Sequence, residues 1–86
     1  MITITAVIAN WNGAHYLETC IPSLLEQSYR SIEIIVVDNG STDGSEDVAR
    51  RYGVRWLALG KNLGLASALN RGAQVAIGEF VLFLNN

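Results

Sequence analysis

Ile32-Glu33-Ile34-Ile35-Val36-Val37-Asp38-Asn39-Gly40-Ser41-Thr42-Asp43-Gly44 decides how the rest of the chain is read. Its first part, Ile32 to Val37, is apolar apart from Glu33. A run of that kind predicts a strand covered on both faces, because a half-exposed strand alternates polar and apolar side chains. A short polar tip follows, and then a helix begins. A buried strand that feeds a helix through a polar turn is the repeating unit of a parallel α/β sheet. The tip lies at the carboxyl edge, where such sheets bind ligands.

The same unit recurs on either side. Ile2 to Ala9 is rich in β-branched residues and predicts a first strand, Val54 to Leu59 a third and Phe80 to Leu84 a fourth. Helical patterns lie between them. Leu17, Ile21, Leu24, Leu25 and Ser28 fall on one helical face. Pro22 sits inside that pattern and predicts a kink or a split, since it removes a backbone donor and crowds the preceding turn. Val48, Ala49 and Tyr52 mark a second helix, with Asp43 and Glu46 at capping-box spacing and Gly53 as its stop. Leu65, Leu69, Ala73, Ala76 and Ile77 mark a third, stopped by Gly78. The order βαβαβαβ predicts a three-layer α/β/α fold around a parallel, Rossmann-like sheet with right-handed crossovers. No internal repeat, low-complexity segment or linker interrupts it.

Composition narrows the class. The chain has 86 residues, enough for one small domain, and half of them are hydrophobic while 16% are charged. That apolar share is high for so small a body and predicts surface meant to be covered by further chain. A net charge of −2 favours neither nucleic acid nor an anionic membrane. A single cysteine, Cys20, makes no internal disulfide and fits a reducing compartment. No apolar run reaches the roughly 18 residues of a spanning helix, and the N-terminus lacks a signal-peptide pattern. The chain is therefore placed in the cytoplasm, with the inner face of a membrane as the alternative.

The polar tips carry the chemistry. At Asp38 and Asn39 a carboxylate or amide can accept the N3–H of a uracil or thymine ring, and Gly40 lets the backbone approach a ligand. Asp43 reads as a helix cap. Asn10-Trp11-Asn12 follows the first strand; the ring can pack on a nucleobase or sugar, or be buried against the first helix, while the amides donate and accept. The segment from Asn62 opens the third helix with small residues, Gly64, Ala66, Ser67 and Ala68, which permits either an approaching anion or close packing on the sheet. Asn85 and Asn86 end the fourth strand; amides alone are poor ligands for a hard cation, which takes carboxylate oxygens. His15, Arg50 and Arg51 read as solvated, and Cys20 as core. A dinucleotide-binding G-x-G-x-x-G after the first strand and a P-loop are both absent. The acidic residues of a receiver domain are absent from the first tip, and its phosphorylatable Asp from the third, which carries Gly60-Lys61.

Taken together, these pieces resemble the N-terminal part of the family 2 glycosyltransferases, which have the GT-A fold. The matching residues are Val7 to Gly13, Leu24 to Tyr29, Glu33 to Asp43, Asn62 to Gly64, Asn70 to Gly72 and Gly78 to Asn85, in the family's order and over nearly the whole chain. The resemblance implies inverting transfer of a sugar from a nucleotide-diphosphate donor, a UDP- or dTDP-sugar, to a glycan or lipid-linked acceptor. It implies that Asn10, Trp11, Asn12, Asp38 and Asn39 line the nucleoside pocket. It also implies that the acidic motif matching Asn85-Asn86 and the next residue holds ribose and a divalent metal, Mg2+ or Mn2+, and that a carboxylate further along is the general base. Two departures stand out. Many members carry a second carboxylate where this chain has Asn39, and the metal motif opens on two amides. The Asn-Trp-Asn and Asp-Asn-Gly-Ser wording resembles rhamnosyltransferase-type members, which use thymidine donors. The 86 residues are thus expected to be the front part of the enzyme, to bind nucleotide without catalysis, and to self-associate through an open sheet edge. The alternative is a nucleotide-sugar-binding module with no catalytic role.

Overall fold

A computed structural model describes residues 3–27 and 31–85 of the chain. Strand and helix alternate as β1 (Ile4–Asn10), α1 (Ala14–Leu25), β2 (Ile32–Asp38), α2 (Ser45–Arg51), β3 (Arg55–Ala58), α3 (Leu65–Val75) and β4 (Phe80–Asn85). The strands form one sheet in the order β3-β2-β1-β4, parallel throughout. Ile2, Ser28 and Asn86, which the sequence reading included in a strand, a helix and a ligand-binding tip, lie outside the described residues.

Strand parity builds the layers. Ala6, Ile8, Ile34 and Val36 point to one face, where Leu17 and Ile21 of α1 and Val48 and Ala49 of α2 meet them. Val7, Ala9, Ile35 and Val37 point to the other and meet Ala68 of α3. Both central strands are therefore covered on both sides, as their unbroken apolar runs predict. Each fully buried aliphatic side chain stabilises this arrangement by roughly 1.5–3 kcal/mol relative to exposure.

The polar tips belong to the sheet itself. β1 extends through Asn10, β2 through Asp38 and β4 through Asn85, each one residue past the expected end. Asn10 pairs in register with Asp38, and Ala9 with Asn85. The backbones of these functional candidates are held by the ladder rather than by a loop. β3 is shorter than expected, running only from Arg55 to Ala58.

Glu33, the exception in the apolar run of β2, has a structural role. Its Oε1 accepts hydrogen bonds from Thr5 Oγ1 at 2.8 Å and from the Ile77 N–H at 3.1 Å, while Gly78 N–H donates to Thr5 Oγ1 at 2.9 Å. This row pins the α3–β4 connection under the sheet. Burial alone would push the Glu33 carboxyl up; the hydrogen bonds from Ile77, Thr5 and Arg55 outweigh it and hold the group below its ordinary value.

Four expectations are corrected. Pro22 does not split α1, which runs continuously from Ala14 to Leu25. The carbonyl that loses its partner is that of Glu18, an exposed residue whose backbone water can reach, while Leu17 and Ile21 anchor the opposite side. Leu25, assigned to the same apolar face, is half exposed.

The third helix is shorter than the predicted stripe, of which Leu69 packs against the core beneath it. It ends at Val75, Ala76 is extended, and Ile77 is 75% exposed. The face against the sheet is Ala68 and Gly72, because α3 lies so close that a Cβ on Gly72 would collide with Val7 Cγ1 and sit 3.1 Å from Val37 Cγ2. Small residues mark the closest approach, with Leu69 and Val75 packed on the same core beside them.

The capping box at α2 does not form either. The helix starts after Gly44 without a side-chain cap, and Glu46 reaches forward to Arg50. Asp43 instead accepts the Ala14 N–H on Oδ2 at 3.1 Å and the Ser45 N–H and Oγ–H on Oδ1, so one carboxylate holds the starts of α1 and α2. Gly53, with φ +69°, ends α2 as expected by donating its N–H to Arg50 O.

β4 is an edge strand with Phe80, Val81, Leu82 and Phe83 all exposed. Among the described residues no helix is long and apolar enough to cross a membrane.

Candidate functional site

Chain order sets the site. β1, β2 and β3 step outward in one direction, and β4 returns to the other side of β1. Where a parallel sheet reverses in this way, the loops leaving neighbouring strand ends diverge and open a crevice. A cavity of about 140 Å³ lies there, lined by Ala9, Asn10, Trp11, Asn39, Asn62, Leu65 and Asn85. That is small against the roughly 300–1,000 Å³ of drug-sized ligand pockets; it suits one planar ring rather than a whole nucleotide sugar. A larger hollow of about 310 Å³ lies at the opposite edge of the sheet, beside Ile32, Glu33, Tyr52 and Arg55. It contains no strand tip, and we place the site at the switch point.

Side-chain bonds across the tips make the crevice rigid. Asn10 is buried, and its Nδ2 donates to Asp38 Oδ1 at 2.9 Å and to Ser41 Oγ at 3.3 Å. Asp38 accepts two further bonds from Ser41, from Oγ to Oδ1 at 2.5 Å and from the N–H to Oδ2 at 2.8 Å. Ser41 Oγ in turn accepts the Asn12 N–H at 2.7 Å, and Asn12 Oδ1 accepts the Thr42 N–H at 2.8 Å. Asn12 takes a left-handed turn, φ +51°, that asparagine tolerates.

Asn39 makes the second tie. Its Oδ1 accepts the Leu63 N–H at 3.1 Å, and its Nδ2 donates to Gly64 O at 3.3 Å. Asn62 Oδ1 accepts the Gly64 N–H at 2.9 Å and shapes the entry to α3. Gly40, at φ +82°, passes so close to the next loop that a Cβ would lie 2.8 Å from Lys61 Cα. The three loops that follow β1, β2 and β3 are thereby joined.

The predicted residues separate into two groups. Asn10, Trp11, Asn39, Asn62 and Asn85 converge on the cavity, whereas Asn12, Asp38, Gly40, Gly64 and Ser67 do not line it. Trp11 is 55% exposed, so its indole is a wall of the crevice and not a core residue against α1. Ala9 and Leu65 join the lining without having been anticipated. Leu65 carries an ordinary helical-stripe pattern, and nothing in its local sequence distinguishes a crevice wall from a core position.

The lining offers amide donors and acceptors, one indole and apolar groups. It suits a planar heterocycle with a hydrogen-bonding edge, and it contains no general base or nucleophile. It also does not suit a divalent cation, because hard cations take carboxylate oxygens and the nearby Asp38 carboxylate is already engaged by Asn10 and Ser41. No group of three or more His, Cys, Asp or Glu side chains able to hold a metal occurs among the described residues.

Residues 5–86 match the family model "Glycosyl transferase family 2". The uncharacterized glycosyltransferase RT0329 of Rickettsia typhi is 40% identical over 84 residues, covering 96% of this chain and 26% of that protein. Among solved structures, the mannosyltransferase PcManGT from Pyrobaculum calidifontis, in complex with GDP-Man and Mn2+, superposes with TM-score 0.86 at 29% identity, over 93% of this chain and 26% of its own. TarS 1–349 of S. aureus, in complex with UDP-GlcNAc, superposes with TM-score 0.90 at 26% identity, over 98% of this chain and 26% of its own. The chain spans about a quarter of the length of the relatives it matches. The parallel sheet and its helices are those of the GT-A enzymes.

Proposed function

The chain belongs to glycosyltransferase family 2, and from that premise we propose that the protein transfers a sugar, with inversion, from a nucleoside-diphosphate donor to a hydroxyl of a glycan or lipid-linked acceptor. The observation that carries this reading is the crevice at the β1–β4 switch point, where Asn10, Trp11, Asn39, Asn62 and Asn85 meet. We assign them the nucleoside, with the indole against the ring and the amides on its polar edge.

Asn39 is the residue we assign to the base. Its internal bonds set which end is oxygen and which is nitrogen, and leave one acceptor position on Oδ1 and one hydrogen on Nδ2. Such a pair matches the N3–H and adjoining carbonyl of uracil or thymine; guanine presents the same pair at N1–H and O6, and it is the small size of the crevice, suited to one ring, that supports a UDP- or dTDP-sugar as donor. GDP-Man in PcManGT and UDP-GlcNAc in TarS show that relatives of this fold differ in base.

The 86 residues are assigned nucleotide binding and not transfer, because the crevice lining offers no base to deprotonate an acceptor. A divalent metal, Mg2+ or Mn2+, is assigned to the whole protein, with carboxylate ligands other than the residues described here. We place its action in the cytoplasm or at the inner face of a membrane. We also propose that the 86 residues pair through β4, whose apolar side chains and ladder edge are open.

Titration of the chain with UDP, dTDP and GDP, with and without Mn2+, followed by amide NMR shifts, tests this. Shifts clustered at Asn10, Trp11, Asn39, Asn62 and Asn85, larger for UDP or dTDP, are expected. A folded sample whose shifts fall elsewhere, or sugar transfer by the isolated 86 residues, would overturn the assignment.

A further inference from the structure

We infer that Asp38 is a positioning residue for the nucleoside crevice, setting Asn10 and Trp11 in place without touching the nucleoside; this rests on the nucleotide-binding reading above. Asp38 is 4% exposed and does not line the cavity, although both its neighbour Asn39 and its register partner Asn10 do. Its carboxylate is turned sideways along the sheet edge. Oδ1 accepts from Asn10 Nδ2 at 2.9 Å and from Ser41 Oγ at 2.5 Å, and Oδ2 accepts the Ser41 N–H at 2.8 Å.

Two links run from Asp38 to the crevice wall. The first sets the rotamer of the Asn10 amide through Nδ2. The second passes through Ser41, whose Oγ is oriented by donating to Asp38 and accepts the Asn12 N–H at 2.7 Å. Trp11 lies between the two anchored residues, and its indole is 55% exposed and belongs to neither core cluster of the described residues. Its direction is therefore governed by the backbone on either side. Hydrogen bonds to a carboxylate are stronger than neutral ones, which suits a group whose task is to hold two loops still.

A double-mutant cycle separates positioning from direct contact. Asp38→Asn keeps the size but turns a donor toward donors; Ser41→Ala leaves the carboxylate and removes the relay to Asn12. UDP affinity is expected to fall about tenfold in each variant, with the double variant no weaker than the poorer single one. In ligand-free samples the Trp11 indole N–H and the Asn12 amide are expected to shift in both. Asp38→Asn losing UDP while its ligand-free Trp11 and Asn12 signals stay at their wild-type positions would mean that Asp38 touches the nucleoside, and would overturn the inference. If Asp38→Asn does not fold, Ser41→Ala decides alone: weaker binding with a displaced Trp11 signal supports the inference, and no change overturns it. If the wild type binds none of UDP, dTDP and GDP, the functional reading fails, and the ligand-free Trp11 shift still decides whether Asp38 and Ser41 position that ring.

Discussion

Asn10 and Asp38 end adjacent parallel strands in register, and the Asn10 amide donates to the Asp38 carboxylate at 2.9 Å with both side chains almost wholly buried. One amide facing one carboxylate is a complementary pair; two carboxylates there would not be. Asn10→Asp is predicted to destabilise the fold by roughly 2 kcal/mol at neutral pH, since like charges at close range in a buried site disfavour ionisation. One carboxyl of the new pair has its folded value raised above its unfolded one, so the destabilisation is present at high pH and relieved as pH falls. Urea midpoints at pH 7 and pH 4 measure this, and a loss that does not shrink at pH 4 would count against it.

Asp43 has the opposite sign. Burial alone would raise its carboxyl, but the hydrogen bonds from Ser45 Oγ and from the Ala14 and Ser45 N–H groups hold it below its ordinary value. A depressed folded value means that the stabilisation is present above the unfolded value, near pH 4, and is lost as pH falls through the folded one. Asp43→Asn is predicted to cost about 1 kcal/mol at pH 7, typical of a lost helix-start acceptor. The difference from the wild type should vanish near pH 2. A constant difference from pH 7 to pH 2 would refute the charge-based account.

Close approach of α3 to the sheet gives a steric prediction. Gly72→Ala forces a methyl group into Val7 Cγ1 and against Val37. Overpacking of this kind costs typically 1–3 kcal/mol, and a lowered urea midpoint is expected. Gly44→Ala is the control, because nothing lies within 4 Å of the added Cβ. Its midpoint should fall less than that of Gly72→Ala, since it carries only the cost of exchanging glycine for alanine at a helix N-cap.

Trp11 separates binding from stability. Being largely exposed, it contributes little to the fold, and Trp11→Ala is predicted to shift stability by less than about 0.5 kcal/mol. Loss of a base-stacking ring costs roughly 1–3 kcal/mol, so UDP affinity should fall about tenfold or more. Calorimetric titration beside a thermal melt reads both; an unchanged affinity would remove Trp11 from the site.

β4 gives a prediction about association. Phe80, Val81, Leu82 and Phe83 are exposed along an unpaired strand edge, and the isolated chain is predicted to form dimers or larger species as its concentration rises. Leu82→Lys should restore the monomer, since edge charges block strand pairing. Sedimentation velocity over a concentration series distinguishes the two. A wild type that stays monomeric throughout would refute the prediction.

Much of this protein was legible before its structure. The apolar runs of β1 and β2 encode burial on both faces, and their polar ends mark the carboxyl edge, because strand burial and helix starts depend on neighbours in the chain. The alternation of strands and helices, the stop at Gly53 and the grouping of Asn10, Trp11 and Asn39 with Asn62 and Asn85 follow from such local signals together with the handedness of crossovers. What only the tertiary structure decided are contacts between distant residues. Gly72 faces the sheet because α3 lies close to Val7 and Val37, a contact that the apolar stripe does not mark. Pro22 is tolerated because the carbonyl it leaves open belongs to exposed Glu18. Asp38 faces Asn10, 28 positions away, and Ser41 rather than the crevice. Periodicity tells which side of an element is buried. How closely two elements approach, and which hydrogen-bonding atoms are already engaged, depends on the packed whole.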